Sequence, residues 1–198
     1  MSALWPYATP GIPDSLFERL PGIPLTKREV RLLVMGYLRL KPNAHLWDIG
    51  AGTGTIAIEA ALLCPNGKVT AVERDEEVAK LIKKNCDRFE VSNIDVISGS
   101  APECLNHISS KPDCILIEGA PLRSTLETAW EKLPINGHIV VTATNLEALL
   151  TVSETFSHLH ARSIEVVQPA INRLETRGNR QIFASVDPMF VISGDKLE

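Results

Sequence analysis

At 198 residues, with 44% hydrophobic and 22% charged side chains, the chain is long enough for one domain with a substantial core and has an ordinary globular composition. Twenty basic against 24 acidic residues give a net charge of −4, which argues against a nucleic-acid partner and its usual basic excess. No stretch approaches the length of a membrane span, and the N-terminus lacks the charged-then-apolar order of a signal peptide, so a cytoplasmic protein with no membrane partner is expected.

Residues 1–25 are rich in proline (Pro6, Pro10, Pro13, Pro21, Pro24) and read as irregular, apart from a helical turn around Ser15–Leu20. Thr26 reads as a helix N-cap, with Glu29 three residues on completing a capping box. From Lys27 to Leu40 apolar residues recur at Val30, Leu33, Val34, Tyr37 and Leu38, a helical stripe that Pro42 ends.

Residues 44–54 carry the densest information. Ala44, Leu46, Trp47 and Ile49 give the apolar run of a buried strand, Asp48 lies near its end, and Gly50, Gly52 and Gly54 alternate after it. Glycine has no Cβ and tolerates positive φ, so such a turn lets the backbone pass close to a ligand. Thr55–Leu63 then reads as a helix whose N-terminal amides face the turn.

Strand-like and helix-like segments alternate from there. Lys68–Glu73, Ile94–Ile97, Ile115–Ile117 and His138–Ala143 read as strands; Glu76–Phe89, Leu122–Leu133 and Asn145–Phe156 read as helices. Regular βα alternation predicts an open, mostly parallel sheet with helices on both faces. The last forty residues break the rhythm. Ser163–Val167 and Gln181–Ser185 read as strands of an antiparallel hairpin at the sheet edge, joined by polar Asn172–Asn179, with Met189–Ile192 continuing the second. The four cysteines show no C-x-x-C pairing and read as small buried hydrophobes, and His158 and His160 as solvated or core-edge groups; no metal site is suggested.

The glycine turn fits neither common phosphate motif. At the third position of a G-x-G-x-x-G fingerprint stands Thr55, and no lysine follows as a P-loop requires. The pattern Asp48-x-Gly50-x-Gly52-x-Gly54 instead resembles the first motif of the class I S-adenosylmethionine-dependent methyltransferases, whose loop lies under the methionine part of the cofactor. An acid at position 48 suits a zwitterionic amino-acid moiety better than a pyrophosphate. Glu73, closing its strand, is placed to accept both hydroxyls of an adenosine ribose. Where these enzymes carry an acid for the adenine amino group, this chain has Ser100 or Ala101, and Glu103 reads as an acid of the following helix's first turn.

A narrower resemblance rests on Gly11-Ile12-Pro13-Asp14, Phe17, Gly22 to Arg31, Trp47 to Gly50, Gly99 to Glu103 and the ending Asp187 to Gly194. Together these resemble the decarboxylating precorrin methyltransferases of corrin-ring (cobalamin) biosynthesis, across roughly residues 11–194. The resemblance implies a Rossmann-like three-layer α/β/α fold: one methyltransferase domain over residues 1–198, with residues 1–40 packing on or near the cofactor site and a seven-stranded sheet ending in an antiparallel strand. It implies methylation of C-15 of precorrin-6B or its cobalt form, with loss of the C-12 acetate carboxyl as carbon dioxide. It also implies S-adenosyl-L-methionine contacts from Thr26, Gly50, Ala51, Gly52, Thr53, Gly54, Glu73 and Ala101, a tetrapyrrole substrate, and a homo-oligomer, often a tetramer. The neighbouring C-5 methylation calls for a partner enzyme, and the sequence leaves open whether that activity is fused elsewhere or acts separately.

One departure stands out. Where that family carries a glycine-rich stretch after the fourth strand, this chain has Glu118-Gly119-Ala120-Pro121-Leu122. Glu118 is either a replacement acid/base or an acid opening the next helix; the second is preferred, because C-methylation of an electron-rich macrocycle needs positioning more than a protein base. A substrate bearing many carboxylates calls for arginines, and Arg28, Arg31, Arg173, Arg177 and Arg180 are the candidates. Two other readings are a methyltransferase acting on RNA or protein and a cofactor-binding scaffold without turnover.

Overall fold

The structure is a computed structural model, and it describes residues 3–119 and 121–197. Ala120, in the departing stretch above, lies outside the described residues.

A turn of 3-10 helix at Asp14–Leu16 precedes α1 (Arg28–Leu38), which ends where Arg39 turns left-handed, three residues before Pro42. Then come β1 (His45–Ile49), α2 (Thr55–Leu63), β2 (Lys68–Glu73), α3 (Glu76–Phe89), β3 (Ile94–Ser98), β4 (Cys114–Ile117), α4 (Leu122–Lys132), β5 (Gly137–Ala143) and α5 (Leu146–His158). Four strands close the chain: β6 (Arg162–Val167), β7 (Asn172–Arg177), β8 (Arg180–Ser185) and β9 (Phe190–Lys196).

Seven strands form one sheet in the order β3-β2-β1-β4-β5-β9-β6. The first five are parallel, and β9 inserts antiparallel between β5 and β6. Alternating strand residues face opposite layers, so Leu46, Val69, Leu116 and Val140 pack under α1, α2 and α3. Trp47, Ile115, Ile139 and Ile192 pack under α4 and α5. Both faces are covered, which is why the central strands read as almost continuous apolar runs.

The C-terminal strands differ from the expected hairpin. Gln181–Ser185 leaves the main sheet and pairs with β7, a strand formed from residues read as a polar connection. The residues after Met189 form a strand of their own, β9, which takes the place beside β5. Their apolar content explains the exchange: Val191 and Ile192 are fully buried, whereas Phe183 is 74% exposed.

The proline-rich N-terminal segment is tied down. α2 is apolar nearly all round, and Ile58 on its outer side meets Ile12, Phe17 and Leu25. Glu59, buried in the same helix, accepts from the amides of Gly11 (2.7 Å) and Ile12 (3.1 Å) and from Arg31 Nε (2.9 Å). Arg31, itself fully buried, also donates to Asp14, to the Thr26 carbonyl and to the Ile12 carbonyl. A buried cation is tolerable only when it is this completely bonded. The capping box does not form: Lys27 is the N-cap and its side chain makes no capping bond. Glu29 turns away to pair with Arg173, and the Thr26 hydroxyl faces Glu118 instead. Among the described residues no helix is long and apolar enough to cross a membrane.

Candidate functional site

Beyond β1 the chain continues to one side through β2 and β3, while β4 lies on the other side, so a crevice opens at the carboxyl ends of β1 and β4. The glycine turn lies there, and its three glycines do different things. A Cβ on Gly50 (φ +82°) would stand 1.9 Å from the Glu118 carbonyl oxygen. One on Gly54 (φ +77°) would press on Ile82 of α3 at 2.8 Å. One on Gly52 (φ +54°) would meet nothing closer than 4.0 Å. Gly50 and Gly54 allow the packing; Gly52 faces open space.

The loop is held from several sides. The amides of Gly50 and Ala51 both donate to the Val72 carbonyl, at 2.9 and 3.0 Å, and the Gly52 amide donates to Glu73 Oε2 at 3.0 Å. Glu73 Oε1 accepts from the Asp75 amide at 2.9 Å, so the carboxylate at the end of β2 is fixed while each oxygen keeps a lone pair for a ligand hydroxyl. Buried Asn85 of α3 bonds the Thr53 carbonyl and both backbone groups of Glu18, joining loop to N-terminal segment. Nothing in the sequence singled Asn85 out, since a lone Asn in an amphipathic helix carries no local signature.

Two cavities meet at this loop. The first, about 560 Å³, runs from Pro24 past Gly50, Gly52 and Glu73 to Gly99, Ser100 and Ala101. The second, about 510 Å³, is bounded by Thr26, Lys27, Ala51, Thr53, Thr142, Asp187 and Met189. Pro24, Gly50, Gly52, Glu118 and Gly119 line both. Seven of the eight residues expected to contact the cofactor therefore border one or both cavities: Gly50, Gly52, Glu73 and Ala101 the first, Thr26, Ala51 and Thr53 the second. Gly54 borders neither and serves the packing of α2 on α3.

Asp48 corrects an expectation. Its side chain is sealed beneath the loop, and neither oxygen meets a donor at hydrogen-bond geometry, although the Ala57 amide stands near enough to moderate the effect. Desolvation first, and then the nearby carboxylates of Glu118 and Glu73, push its pKa well up and favour the neutral acid. Direct charge pairing with an amino-acid moiety is thus not what this residue is placed to supply.

Glu118 is also corrected. It does not open a helix: it follows β4 directly, four residues before α4 begins, and its carboxyl stands where the two cavities join. Thr142 Oγ1 donates to it at 3.2 Å and Thr26 Oγ1 lies at 3.4 Å from both its oxygens. Though part of its surface opens to the cavity, dense surroundings push its pKa up to about 7, the two hydroxyls and the Arg31 charge offsetting only part of the desolvation. The signal that could have found it is the strand order, because the residue just after β4 borders the crevice once β4 is known to lie beside β1.

A consequence for stability follows from that shift. With a folded pKa above the carboxyl's ordinary 4.5, the native state binds more protons than the unfolded chain between pH 4.5 and about 7, so stability falls as pH rises through that window. In ligand-free protein, Glu118→Gln should unfold with the same free energy as wild type at pH 4 but gain about 2 kcal/mol at pH 8, after allowance for water in the cavity. Urea titrations at the two pH values measure it; an equal difference at both would rule out the shift.

The arginines mostly do not gather at the site. Arg31 is buried among Asp14 and Glu59, Arg173 binds Asp14 and Glu29, and Arg177 pairs with Glu175. Arg28 and Arg180 are exposed. Lys27, beside Thr26, is the cation that the second cavity presents.

Five parallel strands, an antiparallel strand inserted beside the fifth, and a glycine turn at the switch point define a class I methyltransferase. Within that class the chain belongs to the precorrin methyltransferase domain family, whose sequence profile matches residues 19–195. It is 36% identical to a probable cobalt-precorrin-6B C(15)-methyltransferase (decarboxylating) of Saccharolobus solfataricus, over 97% of this chain and 98% of that one. It is 35% identical to the cobalt-precorrin-6B C(15)-methyltransferase (decarboxylating) of Salmonella typhimurium, over 93% and 96%. The crystal structure of precorrin-6y C5,15-methyltransferase from Geobacter metallireducens superposes with a TM-score of 0.86 at 30% identity, covering 94% of this chain and 98% of that one.

Proposed function

We propose that this chain, acting as one methyltransferase domain, methylates C-15 of cobalt-precorrin-6B or its metal-free counterpart and removes the C-12 acetate carboxyl as carbon dioxide. The observation that carries the reading is the junction of two cavities at Gly50, Gly52, Glu118 and Gly119, which lets a cofactor in one approach a substrate in the other. The names and near-complete coverage of the relatives supply the substrate class.

The first cavity suits S-adenosyl-L-methionine, which when bound supplies an electrophilic methyl group. Its volume lies within the range of small-molecule sites, roughly 300–1,000 Å³. Gly52 leaves room for the ligand, Glu73 offers the ribose hydroxyls two fixed oxygens, and Ala101 with Val78 offers adenine an apolar wall. Glu73→Ala should weaken cofactor binding by about 1–3 kcal/mol through the lost charge-assisted bonds. Calorimetry with the 2′,3′-dideoxy analogue is the control, since an equal loss there would show that the carboxylate acts only by holding the Gly52 amide.

The second cavity is open to solvent, which suits entry of the reacting side of a macrocycle with its other carboxylates toward solvent and Lys27. The exposed apolar side chains Leu174, Ile182 and Phe183 on β7 and β8 suit a homo-oligomer, for which sedimentation of the purified chain is the check. A cytoplasmic location is consistent with a biosynthetic enzyme. Release of carbon dioxide from cobalt-precorrin-6B, dependent on S-adenosyl-L-methionine, tests the whole reading. Methyl transfer to RNA or protein without that release would replace it.

A further inference from the structure

Among the described residues, Glu118 is the one acidic side chain that lines both cavities. A carboxylate that served only packing would be bonded to backbone amides or an arginine, as Glu59 is. Glu118 has instead two hydroxyls, Thr142 and Thr26, each able to donate or accept, and these hold either protonation state. Its carboxyl is thus oriented but not neutralised, at the point where the two ligands must meet.

The reaction makes a proton demand at that point. Loss of carbon dioxide breaks the bond between the acetate methylene and its carboxyl carbon and leaves the bonding pair on the methylene, conjugated with the ring. That carbon becomes a methyl group only by taking a proton. Transfer of a methyl to an unsaturated ring carbon that bears hydrogen expels one proton from that carbon. One proton is consumed and one is released, so a single group that gives and then recovers a proton completes the balance with no further reactant.

We propose that Glu118 is a catalytic acid/base of this chain: its protonated carboxyl delivers the proton to the methylene left by decarboxylation, and the resulting carboxylate takes the proton released at the methylated carbon. The role rests on the function proposed above. A carboxyl poised near neutrality suits it, since both forms are then accessible. The charged groups around it are Arg31 of α1, already paired with Asp14 and Glu59, and Asp48 of β1 beneath the loop. Lys27 and Asp187 stand along the second cavity, and Glu73, Arg74, Asp75 and Glu103 along the first.

Glu118→Gln keeps the shape and removes the proton. It should lower kcat for carbon dioxide release about 100- to 10,000-fold, a loss far larger than any change in calorimetric affinity for S-adenosyl-L-methionine. The pH profile of kcat/KM, which reports the free enzyme, should lose its limb near pH 7. In the ligand-free protein, infrared difference spectra should show a carboxylic-acid C=O band that titrates near the same pH and is missing from the variant. Thr142→Val, which removes the firmer hydrogen bond to the ionised form, should move both the limb and the band to higher pH, and this holds even if Glu118→Gln folds poorly. A Glu118→Gln enzyme with near-wild-type kcat, a limb that survives the substitution, or a limb unmoved by Thr142→Val overturns the proton role alone. A wild-type chain that releases no carbon dioxide from cobalt-precorrin-6B overturns the function and this role with it.

Discussion

Gly52→Val should cost at least about 100-fold in affinity for S-adenosyl-L-methionine, close to 3 kcal/mol. The cause is the space itself. A Cβ there comes no nearer than 4.0 Å to another protein atom, so the branches of valine extend into the cavity at the place where both cavities open. The backbone adds a smaller penalty: at φ +54° an L-residue in the left-handed region loses about 1–2 kcal/mol of stability. Gly52→Ala carries a similar backbone strain with less intrusion, so comparing the two variants by calorimetry and urea unfolding separates binding from folding. Unchanged affinity in a folded Gly52→Val protein would place the cofactor elsewhere.

Gly50→Ala, two residues away, should act on folding. The new Cβ falls 1.9 Å from the Glu118 carbonyl oxygen, and φ is +82°. Neither strand end can yield cheaply. The Glu118 amide donates to the Ile49 carbonyl at 2.8 Å, which locks the end of β4 to the end of β1, and the Gly50 amide is held by Val72 of β2. Such a clash between paired backbones belongs with the rare severe substitutions, and a loss of about 4–5 kcal/mol is expected. The denaturant midpoint with an unchanged slope measures it; a loss below about 1 kcal/mol would mean that the end of β4 is free to move. Neighbouring glycines in one motif thus carry opposite consequences, one for stability and one for ligand.

Much of this was legible in the residue order. The apolar run 44–49, the alternating glycines and the acid ending Lys68–Glu73 are local signals, and each fell where it was expected. The βα rhythm predicted the parallel sheet because strands covered on both faces must be apolar throughout. The tail was less legible, since Gln181–Ser185 and Phe190–Lys196 compete for the same sheet edge and the winner depends on what each buries. Thr26 and Glu29 matched a capping box in spacing, but Arg173, 144 residues further on, takes Glu29, and Glu118 faces the threonine. No window of a few residues contains those partners. The arginines failed as a carboxylate-binding set for the same reason: Asp14 and Glu59 had already engaged Arg31 inside the fold.

By itself the sequence determined the class of fold, the glycine loop after the first strand and the resemblance to a tetrapyrrole-methylating family, because hydrophobic period, glycine and turn chemistry act over a few residues. Only the tertiary structure decided what each glycine is for, that Asp48 is sealed from the cavity, and that Glu118 stands where the two cavities join. Those facts depend on β4 lying beside β1 across some sixty-five residues of intervening chain, and on the desolvation that this neighbourhood imposes on a carboxyl. Burial and charge at such a point are sums over the whole fold, and no local pattern contains them.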